Sequence, residues 1–141
     1  MRKDESFGVI PLQRREGNWY VFLIQHRKAG YWGLPKGHKE GEESPLVSAF
    51  RELKEETNLE CERLLREEPF AEEYKFFIEG KPVFKTVLYF AAEVKGTAVL
   101  QKEEINDGVW VPFPDAFEKI THSEGKAILS EVILLLENVE D

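Results

Sequence analysis

The sequence predicts an α+β fold, and three observations carry the prediction. Two pairs of β-branched and aromatic runs are each joined by a short turn-forming stretch. Between the pairs lies one stretch with helical spacing, where Leu46, Ala49, Phe50 and Leu53 recur at i, i+3, i+4 and i+7. A second helical stretch, 123–138, closes the chain. Strands on both sides of a central helix, with a terminal helix to cover them, call for a sheet with helices packed on it.

Taken in order, residues 6–12 and 19–26 are the first strand pair, joined by QRREGN. Residues 27–37 read as loop, because Gly30, Gly33, Pro35 and Gly37 break any period. Ser44 followed by Pro45 reads as an N-cap and an N1 proline that start the central helix. Glu43 sits at the positive end of that helix, or is recruited to a metal ion. Residues 60–71 show neither period. Residues 72–78 and 83–94 form the second hairpin around EGKP. Residues 95–107 are polar and read as loop, with room for a short strand at 97–100, and 109–111 is a short strand. Pro112 and Pro114 bracket a turn, after which Asp115 caps a short helix through Ile120. In the closing helix, Ile128, Val132, Leu135 and Leu136 form the apolar side.

At 141 residues the chain is expected to be one domain with a substantial core. Cys61 is the only cysteine, which excludes an internal disulfide framework and fits a reducing, cytoplasmic setting. The first ten residues are charged and hold no apolar run, so no secretory signal is expected. The most apolar stretch, 127–136, is too short to span a bilayer, and Ser130 and Glu131 interrupt it. The formal charge of −8 argues against a general nucleic-acid surface, so DNA is not an expected partner. An acidic enzyme acting on an anionic substrate then has to rely on metal ions and a few local cations.

The central helix carries the chemistry. At about 100° per residue, Glu52 and Glu56 stack one turn apart and Glu55 shares their arc. Like charges so placed weaken a helix by a few tenths of a kcal/mol per pair, which a hard divalent cation relieves. Mg²⁺ takes a few carboxylate oxygens, keeps several waters and completes its shell from substrate phosphates. By itself, such a cluster also reads as a solvated acidic face.

This cluster has a context. Gly37, five residues, Glu43, seven residues, and then RELKEETNL at 51–59 resembles the Nudix box, the signature of hydrolases acting on a nucleoside diphosphate linked to another group. The one departure is Asn58, where the family has glycine. Asparagine is the next-best residue for a left-handed position that ends a helix. The resemblance implies an α/β/α sandwich with a central mixed β-sheet and a catalytic loop-helix-loop. It also implies Glu52, Glu55 and Glu56 as metal ligands, a backbone carbonyl from Gly37, and Arg51 as the ion pair that locks loop to helix. Mg²⁺ is the implied cofactor, with Mn²⁺ as a substitute.

Beyond the box, YWGLPKGHKEGEE at 31–43 and KTVLYFAAEVKG at 85–96 are similar to the asymmetrically cleaving diadenosine tetraphosphate hydrolases. Those enzymes place a loop glutamate, as metal ligand or general base, six residues before a tryptophan; Glu104 and Trp110 have that spacing, and Glu103 is adjacent. Lys36 is placed to hold a phosphate as a point charge. His38 is either a phosphate contact or a loop histidine, and Lys85 matches a lysine of the family strand. For the base, Tyr74, Phe76, Phe84 and Tyr89 are stacking candidates or ordinary core aromatics. His122 falls where the family has its second stacking aromatic. His26, at a strand end, is expected to do nothing chemical.

The implied activity is metal-dependent hydrolysis of diadenosine tetraphosphate to ATP and AMP by a monomer or weak dimer. The alternatives are an RNA 5′-pyrophosphohydrolase, which acts on an RNA 5′ end, and a catalytically silent nucleotide-binding module. A diphosphoinositol polyphosphate hydrolase would need a denser basic patch than the sequence holds.

Overall fold

The computed structural model describes residues 2–139. β1 (Arg2–Arg15) and β2 (Asn18–His26) form the expected antiparallel hairpin, with Leu12 facing Val21 and Arg15 facing Asn18. Its turn is Glu16-Gly17, at φ of 51° and 83°. Two left-handed residues in a row match the twist of the flanking strands.

Residues 27–37 are not all loop. β3 (Trp32–Gly33) pairs with β2, and β4 (Lys36–Gly37) pairs with β1. Two-residue strands hold no readable period, so only tertiary pairing reveals them. Gly8 makes the approach of β4 possible, because a Cβ there would lie 2.3 Å from the Pro35 carbonyl oxygen.

α1 (Pro45–Thr57) begins as expected, with the Ser44 hydroxyl accepting from the Val47 N–H at 3.2 Å. It ends on Asn58 at φ 66°, whose N–H donates to the Lys54 carbonyl at 2.9 Å. Asparagine therefore takes the left-handed place in which the family has glycine. Ala49 and Leu53 are buried, with Leu46 and Phe50 half-buried beside them.

The unassigned stretch after α1 contains β5 (Glu60–Leu64). β6 (Phe70–Ile78) and β7 (Lys81–Lys95) are the second hairpin. β7 runs parallel to β1 from Arg2 opposite Val83 to Leu12 opposite Glu93, which makes the sheet mixed. It is long enough to hold β6 along its first part and β5 along its last.

Residues 97–100 form no strand. The segment docks instead on the end of α1, where Val99 N–H donates to the Thr57 carbonyl and Gln101 N–H to the Glu56 carbonyl, at 2.9 and 3.0 Å. β8 (Ile105–Pro112) exceeds the expected 109–111 because it pairs with β2 along most of its length. α2 (Phe113–Lys119) starts from Pro112, so Asp115 lies in its first turn and does not cap it. α3 (Ser123–Leu136) buries Ile128, Val132 and Leu136 as expected and Leu129 as well, whereas Leu135 is only half-buried.

Two cores result from strand alternation. Phe7, Val9, Phe22 and Ile24 face Ala49 and Leu53 of α1. Ile10, Leu12, Val21 and Leu23 face Ile128, Leu129 and Val132 of α3. The result is the α/β/α sandwich that the box resemblance implied. No helix among the described residues is long and apolar enough to cross a membrane.

Candidate active site

Glu52, Glu55 and Glu56 of α1, Gly37 of β4 and Glu104 border one cleft, together with Lys36, His38 and Lys85. Local helix geometry brings the first three together; tertiary docking brings the rest. Gly37 lies so close to Glu52 that a Cβ would stand 2.1 Å from its carboxyl carbon. The loop holding Glu104 hangs from the end of α1 through Gln101. The Gln101 side-chain oxygen accepts from the Glu104 N–H at 3.0 Å, and the Glu104 carbonyl accepts from the Arg27 N–H at 2.9 Å. Glu104 borders the cleft and the neighbouring Glu103 does not.

Arg51 organises this cleft. Its Nε donates to Glu43 Oε2 at 2.8 Å, and its Nη2 to Glu43 Oε1 at 3.1 Å and to the His38 carbonyl at 2.7 Å. Nη1 reaches Glu52 at 3.0 Å and Glu55 at 3.2 Å. Loop and helix are thereby tied at one guanidinium. Glu43 also accepts from Ser48 Oγ and the Glu40 N–H, each at 2.9 Å. The Arg51 hydrogen bond is the largest cause of a Glu43 carboxyl held down at about 2.

Glu56 is the opposite case. It is 5% exposed, and its Oε1 has no hydrogen-bond partner among the described residues. Burial, then the Glu52 charge, pushes its carboxyl up to about 8, against the opposing pull of Lys36. Burial likewise raises Glu52, against Arg51. Glu56 Oε1 is thus an acceptor short of a partner. Carboxylate and carbonyl oxygens are the donors a hard divalent cation takes, and the orphaned Glu56 oxygen suits one. Among the described residues, no group of three His, Cys, Asp or Glu side chains already converges on an ion position. Arg51 holds two of the carboxylates.

Two of the expected phosphate contacts are engaged elsewhere. Lys85 is buried, with Nζ 2.6 Å from Asp4 Oδ2 and 2.5 Å from Ser6 Oγ. His38 Nε2 lies 3.1 Å from the other Asp4 oxygen. Asp4 was not singled out from the sequence, and only the parallel register that sets it opposite Lys85 reveals it. Lys36 is held by neither, and burial, followed by the Lys85 charge, lowers its ammonium.

Beside this lies an apolar cleft of about 180 Å³ that includes Tyr31, Trp32, Tyr74, Tyr89 and His122. The Tyr31 ring stands 4.7 Å from the His122 ring and 4.6 Å from the His26 ring, tilted against both. Tyr74 and His122 are among the expected base contacts. Tyr89 is 3% exposed and belongs to the wall, while Phe76 and Phe84 lie outside the cleft. Tyr31 and Trp32 open the YWGLPKGHKEGEE motif and were not among the expected stacking residues. His26, expected to be idle, borders both clefts, and burial, then the Lys36 and His122 charges, pushes it down to about 4. Lys36 is the other residue the two clefts share.

Comparison with known proteins agrees with this architecture. The NUDIX domain family model matches residues 2–132. The chain is 35% identical over 127 residues to a bis(5′-nucleosyl)-tetraphosphatase [asymmetrical] of Mus musculus, covering 87% of this chain and 84% of the relative. The Sus scrofa protein of the same name is 35% identical over 133 residues, with 88% and 89% covered. An Ap4A hydrolase from C. elegans, solved as a binary complex, superposes with a TM-score of 0.76 at 22% identity, over 96% of this chain and 99% of that one. Nudix hydrolases generally use divalent metal ions. Box, sandwich and family match converge, and the chain belongs to the Nudix hydrolase family.

Proposed function

We propose that the protein is a Mg²⁺-dependent hydrolase of dinucleoside polyphosphates that cuts diadenosine tetraphosphate asymmetrically, to ATP and AMP. The observation that carries this reading is the junction at Lys36, which borders both the carboxylate cleft and the aromatic cleft. A base stacked on Tyr31 or His122 has its phosphates led past Lys36 toward the box glutamates. The relatives' names support the substrate.

In this reading, Glu52, Glu55, Glu56, Glu104 and the Gly37 carbonyl are the groups that would hold the divalent ion. When bound, such an ion neutralises phosphate oxygens and lowers the pKa of a bound water. The side chains do the rest. Arg51 keeps Glu52 and Glu55 aimed, and Lys36 offsets charge on the polyphosphate. Glu104, which is exposed to solvent, takes the proton of the attacking water.

Purified protein with Mg²⁺ and diadenosine tetraphosphate should give ATP and AMP in equal amounts on chromatography, and nothing with a chelator present. ADP as sole product would overturn asymmetric cleavage. Pyrophosphate from triphosphorylated RNA, with the dinucleotide untouched, would move the chain to the RNA 5′-end reading.

A further inference from the structure

The aromatic cleft holds one group that stacking does not explain. Glu72 sits on β6, two residues from Tyr74 and on the same strand face, half-buried and bordering the cleft. Its backbone pairs with Val87 of β7, but no other described residue makes a hydrogen bond or ion pair with its carboxyl. The charges that face it are Lys36 of β4, Lys85 of β7, and His122 and Glu124 around the start of α3. Burial outweighs the favourable ones and raises its carboxyl. A carboxyl left without a partner beside aromatic walls is costly, so a ligand group that bonds it has a ready-made place.

Stacking alone is nearly blind to base identity, because every base has a π-face. Choosing one base needs a hydrogen-bonding group at its edge, and such a group rejects an analogue that leaves it unpaired. With the apolar cleft taken as the base site, as the proposed function has it, two carboxylates border it: Glu124 accepts from Ser123 Oγ at 2.6 Å, while the Glu72 carboxyl bonds no described residue.

We infer that Glu72 reads the Watson–Crick edge of the base in this cleft and favours guanine over adenine. Guanine offers a carboxylate two donors, N1–H and the exocyclic amine. Adenine offers one donor beside a ring nitrogen acceptor that the carboxylate repels.

The test titrates GMP and AMP separately into the full chain with Mg²⁺ at pH 8, for the wild type, Glu72→Gln and Glu72→Ala. Relative kcat/KM on diguanosine and diadenosine tetraphosphate is measured alongside. Wild type should bind GMP more tightly than AMP. Glu72→Gln, whose amide both accepts and donates as adenine requires, should shift the GMP-to-AMP ratio by about 10-fold or more toward adenine. Glu72→Ala should bring the ratio near one. A ratio unmoved in both variants, or a wild type without preference, overturns the inference, even if overall affinity falls. Discrimination without cleavage of either tetraphosphate would sink the hydrolytic reading and leave this one standing. Cleavage with an unmoved ratio would do the reverse.

Discussion

The two clefts are built in contrasting ways. The carboxylate cleft draws most of its residues, Gly37, Glu52, Glu55 and Glu56 among them, from one loop-helix segment, and one arginine ties that segment together. The aromatic cleft is gathered from the end of β2, the loop beyond it, β6, β7 and the start of α3. The first concentrates charge and holds it at an electrostatic cost, visible in the raised Glu56. The second presents flat rings, with Lys36, Glu72 and Glu124 as its charged members. Groups that do charge chemistry gain from rigid local geometry, whereas the groups that would select a ligand are assembled from several elements, where small changes retune them.

The sharpest way to break this contrast is to remove charge from the first cleft. Glu56→Gln should cut kcat by roughly 10²–10³-fold, as loss of a preorganised electrostatic group does, while the metal-free fold stays intact. Glu104→Gln should cost about 10²-fold if it takes the proton, and Glu103→Gln should cost nothing; steady-state rates on diadenosine tetraphosphate read both. Full activity in Glu104→Gln would remove the loop from the chemistry.

Removing a ring from the second cleft should look different. Tyr31→Ala should raise KM by about 10-fold and leave kcat near wild type, since stacking contributes to ground and transition state alike. A fall in kcat with KM unchanged would mean that the two clefts are not separable.

The raised Glu56 also predicts a pH effect on stability. Its carboxyl holds a proton in the folded state up to about pH 8, and in the unfolded state loses it near the ordinary carboxylate value. The folded state therefore binds more protons in between, and stability falls as pH rises through that window. His26, pushed down to about 4, works the other way below its ordinary value, so the clean interval is pH 6.5 to 8. Across it the metal-free protein should lose about 5 °C in Tm, and Mg²⁺ should restore more at pH 8 than at pH 6.5. Glu56→Gln should flatten the slope.

The smallest expected effect is at the helix end. Asn58→Gly should change stability by less than about 0.5 kcal/mol, because a freer left-handed residue offsets the lost side-chain bond to the Thr97 carbonyl. Asn58→Ala, with neither advantage, should lose about 1 kcal/mol in chemical denaturation.

Much of this molecule was legible in the chain because its determinants are local. Ser44-Pro45 starts α1, Asn58 ends it, and the period of 3.6 decides which glutamates share an arc. β-branched and aromatic runs joined by turn-forming stretches marked both hairpins. Failures came where pairing partners lie far apart in sequence. β3 and β4 are too short to show a period, and residues 97–100 have strand-like composition but find their hydrogen bonds on the end of α1. Asp4 carries no local signal, yet it takes up two of the expected phosphate contacts.

Taken by itself, the sequence determined the box, its helix, the acidic arc and the family, since each follows from spacing within a few turns of chain. Tertiary structure alone decided that Glu104 and not Glu103 borders the box cleft, that Lys36 borders two clefts, and that Tyr31, His122 and Glu72 line one of them. Those choices depend on strand register and on how a loop docks. A one-residue change in register turns a side chain to the other face of the sheet, and no local pattern of residues encodes that.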